Sequence, residues 1–249
     1  MSEDVATQYA TDANLRARMN LHERFSTVKE PWQRWLFDRV ALSPGARVLE
    51  VGCGPAEFWR QNLDRLGDGL RITLTDQSAG MVDAAREAIG DRAEYAVADA
   101  QELPFADEAF DVVLANHMLY HVSDRPKAFA EIRRVLVSGG RFRAATNGEG
   151  HLEELGALYD APFWKHLRAF GLGNGPEQLA PYFDDIEVER FDGELRVTEV
   201  EPVLAYIRSS FVYKGGPLDD AAETVGAAIE RDGAFRIGTH AGVISCRKP

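Results

Sequence analysis

The sequence predicts an α/β fold, a mostly parallel sheet with helices on both faces. Strands predicted at 46–51, 71–75, 94–98, 110–116 and 139–145 alternate with helices predicted at 56–66, 78–90 and 124–137. Such alternation favours parallel pairing with right-handed crossovers. The strand at 110–116 is almost continuously apolar, as expected for a central strand covered on both faces. Ser138-Gly139-Gly140 is the expected stop of the third helix.

Further elements are predicted on both sides of this alternation. Asp12 is a candidate cap for a first helix, and a second helix follows Pro31. Residues 148–184 are rich in glycine and aromatic residues and show no regular pattern. Beyond them we expect a long strand or hairpin from Ile186 to Val197 with a bend at Asp192-Gly193, then helices at 200–210 and 218–231 and a last strand at 234–247.

Composition limits the class of protein. The chain has 249 residues, 45% of them hydrophobic, so it can bury a sizeable core. A formal net charge of −12 argues against nucleic acid as a partner. The first twenty residues lack an apolar core, and no apolar run approaches about 18 residues, so we expect neither a signal peptide nor a membrane partner. Cys53 and Cys246 are expected to be reduced, buried thiols in a cytoplasmic protein. Nothing in the sequence fixes the oligomeric state.

A glycine turn follows the first strand in Arg47-Val48-Leu49-Glu50-Val51-Gly52-Cys53-Gly54-Pro55-Ala56. A strand that runs through a glycine turn into a helix is typical of nucleotide sites. Glu57 occupies the position where a dinucleotide site needs its third glycine, and no Gly-Lys-Ser/Thr follows, so a phosphate ligand is disfavoured. A phosphate-free nucleoside with a cationic group near Glu50 fits better, and S-adenosylmethionine is such a molecule.

The chain resembles the class I S-adenosylmethionine-dependent methyltransferases over residues 44–145, most closely the small-molecule group called type 11. Four motifs occur in the expected order, namely Val48–Gly54, Ile72–Asp76, Val97–Phe105 and Phe110–Asn116. Pro55-Ala56 departs from the third glycine of many members, although we expect the turn to survive.

The resemblance implies a Rossmann-like sheet of seven strands, the last one antiparallel beside the fifth. It also implies four parts: an N-terminal helical cap (1–43), a cofactor-binding core (44–147), a variable acceptor-site segment (148–184), and C-terminal strands and helices that complete the same domain (185–249). The cap either covers a sheet edge or acts as a lid over cofactor and acceptor. Candidate lid or acceptor-pocket residues are Tyr9, Arg16, Arg18 and His151.

Cofactor residues are expected at the carboxyl ends of the strands, where the strand order switches between the first and fourth strands. Glu50 either anchors the ammonium group or caps nearby amides. Asp76 can accept both ribose hydroxyls, and Asp99 either accepts from the adenine amino group or serves as a turn residue. The other candidates are Gly52, Gly54, Gln77, Met81, Ala100, Gln101 and Asn116.

Methyl transfer from a sulfonium is an in-line displacement, so a base is needed only if the acceptor must lose a proton. His121 is the first candidate for that role, with Tyr120 and His117 behind it. The same segment could instead only line the cofactor cleft. His117 and His121 are four residues apart, which would place them on one face of a helical turn, but no third metal ligand is apparent and no metal is expected.

The predicted function is transfer of a methyl group to an O, N or C atom of a small-molecule acceptor, with S-adenosylhomocysteine as the product. One alternative is a non-catalytic S-adenosylmethionine-binding protein. A nicotinamide-dependent oxidoreductase is disfavoured by Glu57 and by the absence of a Tyr-x-x-x-Lys pair. The identity of the acceptor is not encoded in any recognisable motif.

Overall fold

A seven-stranded sheet with the order β3-β2-β1-β4-β5-β7-β6 forms the centre of the molecule. The computed structural model describes residues 13–159, 169–210, 213 and 215–249, with side chains from residue 18 onward. The strands are β1 (Arg47–Val51), β2 (Arg71–Asp76), β3 (Glu94–Val97), β4 (Phe110–Asn116), β5 (Leu136–Asn147), β6 (Asp184–Val197) and β7 (Phe235–Arg247). The first five strands pair in parallel and β7 is antiparallel to both β5 and β6, which confirms the predicted fold.

Helices cover the sheet on both faces. Their bounds are α1 (Ala13–Phe25), α2 (Trp32–Val40), α3 (Glu57–Arg60), α4 (Ala79–Ile89), α5 (Arg125–Val135), α6 (Glu153–Ala157), α7 (Gly175–Leu179), α8 (Val200–Arg208) and α9 (Asp219–Asp232). Short 3₁₀ turns occupy Leu63–Arg65, Gly90–Arg92 and Leu119–His121. The candidate cap Asp12 lies outside the described residues.

The helix predicted at 56–66 is wrong in length, because α3 ends after one turn. Asn62 is fully buried, and its side-chain amide donates to the carbonyl of Phe58 at 2.8 Å and to that of Gln33 at 3.1 Å. An asparagine side chain that takes the carbonyl four residues earlier competes with the helical backbone bond. The backbone amide of Asn62 bonds Trp59 instead, and a 3₁₀ turn follows.

The predicted stop at Ser138-Gly139-Gly140 is also misplaced. The helix ends at Val135, and these residues lie inside β5. There the register against β4 shifts between Phe110 and Val112, so the glycines belong to an irregularity of the strand. Gly139 has φ +72°, a conformation that glycine adopts without strain.

The bend predicted at Asp192-Gly193 does not form, because β6 runs without interruption through both residues. They pair with His240 and Thr239 of β7. A Cβ on Gly193 would lie 2.5 Å from Cγ2 of Val28, so this glycine allows a close approach of the segment after α1. Gly193, which predicted a turn, is therefore needed for close packing and not for a bend.

Three hydrophobic clusters form the core. Two lie on opposite faces of the parallel strands, one around Phe129 and Phe142 and the other around Trp35 and Trp59. The third joins Leu21 and Phe25 of α1 to side chains of β6, β7, α8 and α9. The N-terminal helix is thus packed on the C-terminal part of the chain.

Both cysteines are buried and free, as expected. Among the described residues no helix is long and apolar enough to cross a bilayer.

Candidate functional site

The glycine turn lies where the strand order reverses, since β1 has β2 on one side and β4 on the other. Gly52 and Gly54 take φ values of +66° and +53°, which glycine adopts at low cost. The amide of Cys53 donates to the carbonyl of Thr75 at 2.9 Å and ties the turn to β2. Ala56, with φ +56°, replaces the third glycine in a left-handed conformation, so the turn survives the Pro55-Ala56 departure.

Asp76 is held against this turn. Its Oδ2 accepts from the amide of Gly54 at 3.0 Å, and its Oδ1 accepts from the amide of Ser78 at 2.9 Å. Burial nevertheless raises the pKa of the Asp76 carboxyl. The backbone of Gln77 also hydrogen-bonds this carboxyl group. Two carboxylate oxygens together offer about four acceptor positions, so Asp76 keeps capacity to accept from a ligand beside the glycine backbone.

Glu50 is buried at the end of β1, with 2% of its surface exposed. Its Oε2 accepts from the indole nitrogen of Trp59 at 2.5 Å, and its Oε1 accepts from the side-chain amide of Asn116 at 2.7 Å. Burial raises the pKa of Glu50 to about 8, and the nearby Asp76 adds to that effect. In the described part of the chain Glu50 therefore caps no backbone amide, and two side chains from other elements hold it.

The side-chain oxygen of Asn116 is an unsatisfied acceptor. Oδ1 of Asn116 is buried and has no hydrogen-bond partner among the described residues, and no ion pair in the described part of the chain involves Glu50. A buried amide oxygen and a buried carboxylate side by side suit a group that has several N–H donors and a positive charge. A primary ammonium is such a group.

The residues expected around the adenine lie along the ends of β2 and β3. Met81 and Ala100 are buried, and the exposed Gln77 donates to Oδ2 of Asp99 at 3.0 Å. Oδ1 of Asp99 accepts from the amide of Gln101 at 2.9 Å, which is the turn role that the sequence left open. This end of the site is thus already linked by hydrogen bonds among its own side chains.

The segment after β4 differs from its predicted form. His117 has φ +53°, outside the right-handed helical region, and the 3₁₀ turn begins only at Leu119, so His117 and His121 do not share an α-helical turn. The backbone amide of His117 donates to the carbonyl of Ala145 at 2.9 Å. The rings of Tyr120 and His121 meet edge to face at 4.6 Å.

Other side chains of this segment close in on the turn. A Cβ added to Gly52 would lie 2.8 Å from Cβ of Met118, so Met118 packs directly on the glycine. The ring of His117 meets Trp32 of α2 edge-on, with centroids 5.4 Å apart. In the described part of the chain no group of three histidine, cysteine or acidic side chains is arranged to hold a metal ion.

The candidate lid residues are placed only in part. Tyr9 and the side chain of Arg16 lie outside the described residues. Arg18 is half-buried on α1 and lies close enough to Tyr159 to act on the pKa of its hydroxyl. His151 is half-buried after β5 and stacks on His22 of α1, with ring centroids 6.2 Å apart.

The structure also places four residues at or near the candidate site that the sequence did not single out, namely Trp59, Trp32, His22 and His240. Trp59 is nine positions after Glu50, on the helix that leaves the glycine turn, and that placement is the one local signal pointing to it. The other three come from distant elements, and no spacing links them to the site.

Known proteins resemble this chain in both sequence and fold. Residues 49–144 match the family model described as a methyltransferase domain. The ubiquinone/menaquinone biosynthesis C-methyltransferase UbiE of Vibrio parahaemolyticus is 33% identical over 135 residues, 52% of each chain. The UbiE of Xanthomonas oryzae is 30% identical over 149 residues, 58% of this chain and 59% of that one. The chain therefore spans about half the length of the curated relatives that it matches.

Two solved structures share the fold. A putative methyltransferase from Bacillus halodurans superposes with a TM-score of 0.62 at 18% identity, over 88% of this chain and 99% of that chain. Phosphoethanolamine N-methyltransferase 2 of Haemonchus contortus, solved in complex with S-adenosyl-L-methionine, gives 0.61 at 23% identity, over 96% of this chain and 57% of that one. Residues 49–144 of this chain therefore form a methyltransferase domain, with the sheet order and glycine turn described above.

Proposed function

We propose that this protein transfers the methyl group of S-adenosyl-L-methionine to a small-molecule acceptor and releases S-adenosylhomocysteine. The observation that carries the proposal is the pair formed by Glu50 and Asn116. The side-chain nitrogen of Asn116 donates to the buried carboxylate at 2.7 Å, and its side-chain oxygen has no partner among the described residues. The pair therefore lacks one kind of partner, which is a cation with several hydrogen-bond donors. The ammonium group of the cofactor's methionine part supplies it.

Asp76 and the glycine turn would hold the other end of the cofactor. The remaining acceptor capacity of the Asp76 carboxylate suits the neighbouring ribose hydroxyls, and the turn brings backbone atoms close to the ligand without an intervening Cβ. Bound there, the cofactor supplies an electrophilic methyl group on a sulfonium. The protein's contribution is then orientation of the donor and exclusion of water from the acceptor.

The acceptor is proposed to be a small molecule, and nucleic acid is not expected because the net charge is −12. The names of the similar proteins cover a carbon acceptor in UbiE and a nitrogen acceptor in phosphoethanolamine N-methyltransferase, so the acceptor atom does not carry over from them. His121, Tyr120 and His117 stay candidates for contact with the acceptor. We also propose a cytoplasmic location, which the two free thiols support.

Titration calorimetry tests the cofactor assignment. The purified protein should bind S-adenosylmethionine and S-adenosylhomocysteine and should give no heat with NADH. Binding of NADH without binding of S-adenosylhomocysteine would contradict the methyltransferase assignment and favour an oxidoreductase. Release of S-adenosylhomocysteine with any member of a small-molecule acceptor panel would then separate an enzyme from a protein that only binds the cofactor.

A further inference from the structure

Three imidazoles from three separate parts of the chain converge beside the candidate cofactor site. They are His22 of α1, His117 after β4 and His151 after β5, and we call them the histidine cluster. The rings of His22 and His151 stack almost in parallel, with an interplanar angle of 9°. His22 and His117 both lie close enough to His151 to disfavour a positive charge on it. No local feature of the sequence requires these three imidazoles to meet, so long-range packing brings them together.

The position of the cluster is fixed relative to the cofactor residues. His117 directly follows Asn116, which bonds Glu50, and directly precedes Met118, which packs on Gly52. His117 also keeps a left-handed backbone, with φ +53°, that costs a non-glycine residue about 1–2 kcal/mol. Strain of this kind is found where surrounding structure holds a residue in place, often at binding sites.

The hydrogen bonds of His151 determine its tautomer. Nδ1 of His151 accepts from the backbone amide of His240 at 3.0 Å, so that nitrogen has no proton. A neutral imidazole that accepts at Nδ1 carries its proton on Nε2. His151 is therefore a hydrogen-bond donor at Nε2, set by a backbone group that no side-chain change removes.

The cluster is uncharged at neutral pH. Burial lowers the pKa of His22 and of His117 to about 4 each, and it also lowers the pKa of His151 well below its usual value. Asp192 of β6 is bonded to Nδ1 of His240 at 2.9 Å, and Arg190 is paired with the same carboxylate. On α1, Arg18 acts on Tyr159.

An aromatic wall stands next to the imidazoles. Trp32 contacts His117, and it also packs against Trp35 at 5.3 Å and Phe191 at 5.4 Å. Flat rings of this kind favour a flat, uncharged partner. A charged acceptor would lose its hydration here, and the neutral imidazoles would not replace it with an opposite charge.

We propose that the histidine cluster is the acceptor subsite, that it takes an uncharged planar molecule carrying a hydroxyl or carbonyl oxygen, and that Nε2–H of His151 donates to that oxygen. The proposal rests on the proposed function, because the cluster becomes an acceptor subsite only if the cofactor binds at Glu50 and Asp76. It adds the class of acceptor and the residue that orients it.

The test measures binding to protein saturated with S-adenosylhomocysteine. Three probes share one ring and differ in charge: catechol, 3,4-dihydroxybenzoate with a carboxylate, and dopamine with an ammonium. Catechol should bind at least tenfold more tightly than either charged probe. Long-range ¹H–¹⁵N spectra should show His151 as the Nε2–H tautomer, with its Nε2 signal shifted when catechol is added.

Matched variants of His151 distinguish the effect of its hydrogen-bond donor from the effect of its size. His151→Leu should weaken catechol binding at least tenfold while the affinity for S-adenosylhomocysteine stays within twofold. His151→Gln, which keeps an N–H donor, should stay within threefold of the parent for catechol. Arg231→Gln, which removes only an exposed ion pair with Asp232, serves as the control.

Each contrary outcome has a distinct meaning. The subsite would be overturned if the charged probes bound as tightly as catechol or if catechol did not bind. It would also be overturned if His151 were the Nδ1–H tautomer, or if His151→Leu bound catechol as tightly as the parent does. Failure of S-adenosylhomocysteine itself to bind would overturn the proposed function, and the acceptor subsite with it.

Discussion

The indole nitrogen of Trp59 donates to the buried carboxylate of Glu50 at 2.5 Å. This bond joins the end of β1 to the helix that follows the glycine turn. Without a cation beside it, burial favours the protonated form of Glu50, and the hydrogen bonds with Trp59 and Asn116 oppose only part of that effect. Glu50 thus lies where a side chain that stays neutral would cost less to bury, and perturbed acidic groups of this kind are often found at binding sites.

Glu50→Gln should have opposite effects on stability and on binding. The folded protein holds the Glu50 proton up to a pH of about 8, whereas the unfolded chain releases it near 4.5, so the folded state binds more protons between those values. The free energy of unfolding of the parent should therefore fall relative to the variant as pH rises through this window, by at most about 1.4 kcal/mol per pH unit. Chemical denaturation of both proteins from pH 4.5 to 8 measures the difference.

Binding should change in the other direction in the same variant. Because the carboxylate is the proposed partner of the ammonium group, Glu50→Gln should lose at least tenfold in affinity for S-adenosylmethionine. Glu87→Gln, at an exposed position of α4, is the control for both measurements. A variant less stable than the parent at pH 8, or one with unchanged affinity, would contradict a cation-binding role.

Asp76→Asn should weaken S-adenosylhomocysteine binding by about 10–100-fold, since hydrogen bonds to a charged group are worth about 1.5–3 kcal/mol. The amide keeps the size of the side chain but has one oxygen in place of two. Calorimetry gives the affinity, and circular dichroism checks the fold. Asp83→Asn, which removes an exposed carboxylate paired with Arg86 on α4, should leave the affinity unchanged. Equal affinity in the Asp76 variant would sink the ribose assignment.

Gly52→Ala and Gly54→Ala should differ in cost although both glycines have positive φ. A Cβ on Gly54 would have no neighbouring atom within 4 Å, so its variant should lose only about 1 kcal/mol for the left-handed backbone. A Cβ on Gly52 meets Met118 at 2.8 Å, so its variant should lose about 2–4 kcal/mol. Adding Met118→Ala to Gly52→Ala should recover part of that loss in a double-mutant cycle. Equal losses for the two single variants would show that Met118 does not constrain the turn.

His117→Asn should make the protein less sensitive to acid. The pKa of His117 is near 4 in the folded state and near 6.5 when unfolded, so the unfolded chain binds more protons between these values. The parent's stability should fall as pH drops from 6.5 to 4, by up to about 1.4 kcal/mol per pH unit from this residue. Asparagine tolerates the left-handed backbone at this position and does not titrate.

Thermal or urea unfolding of both proteins across that range isolates the contribution of His117. The difference in the free energy of unfolding between the parent and His117→Asn should be constant above pH 7 and should become smaller as the pH falls. His22→Gln should behave in the same way, because burial lowers the pKa of His22 to about 4 as well. Parallel stability curves for parent and variant would mean that the imidazole is solvated.

Local chemistry in the sequence accounts for most of the cofactor edge. The apolar strand at Phe110–Asn116, the glycines at 52 and 54 and the carboxylates at 50 and 76 each signal their place through residues only a few positions apart. Where the local pattern gave a wrong prediction, a long-range contact determined the structure. Asn62 ended the predicted helix by bonding Phe58 and Gln33, and β7 held Asp192 and Gly193 in a straight strand.

The proposed acceptor side of the site depends on tertiary structure alone. His22 reaches His151 because Leu21 and Phe25 anchor α1 among side chains of β6, β7, α8 and α9. The tautomer of His151 depends on the backbone of His240, 89 residues away. The sequence by itself determined the sheet and the place of the cofactor, because strand alternation and turn chemistry act over short distances. Which side chains meet across the site depended on how distant apolar faces pack, and no spacing in the chain records that.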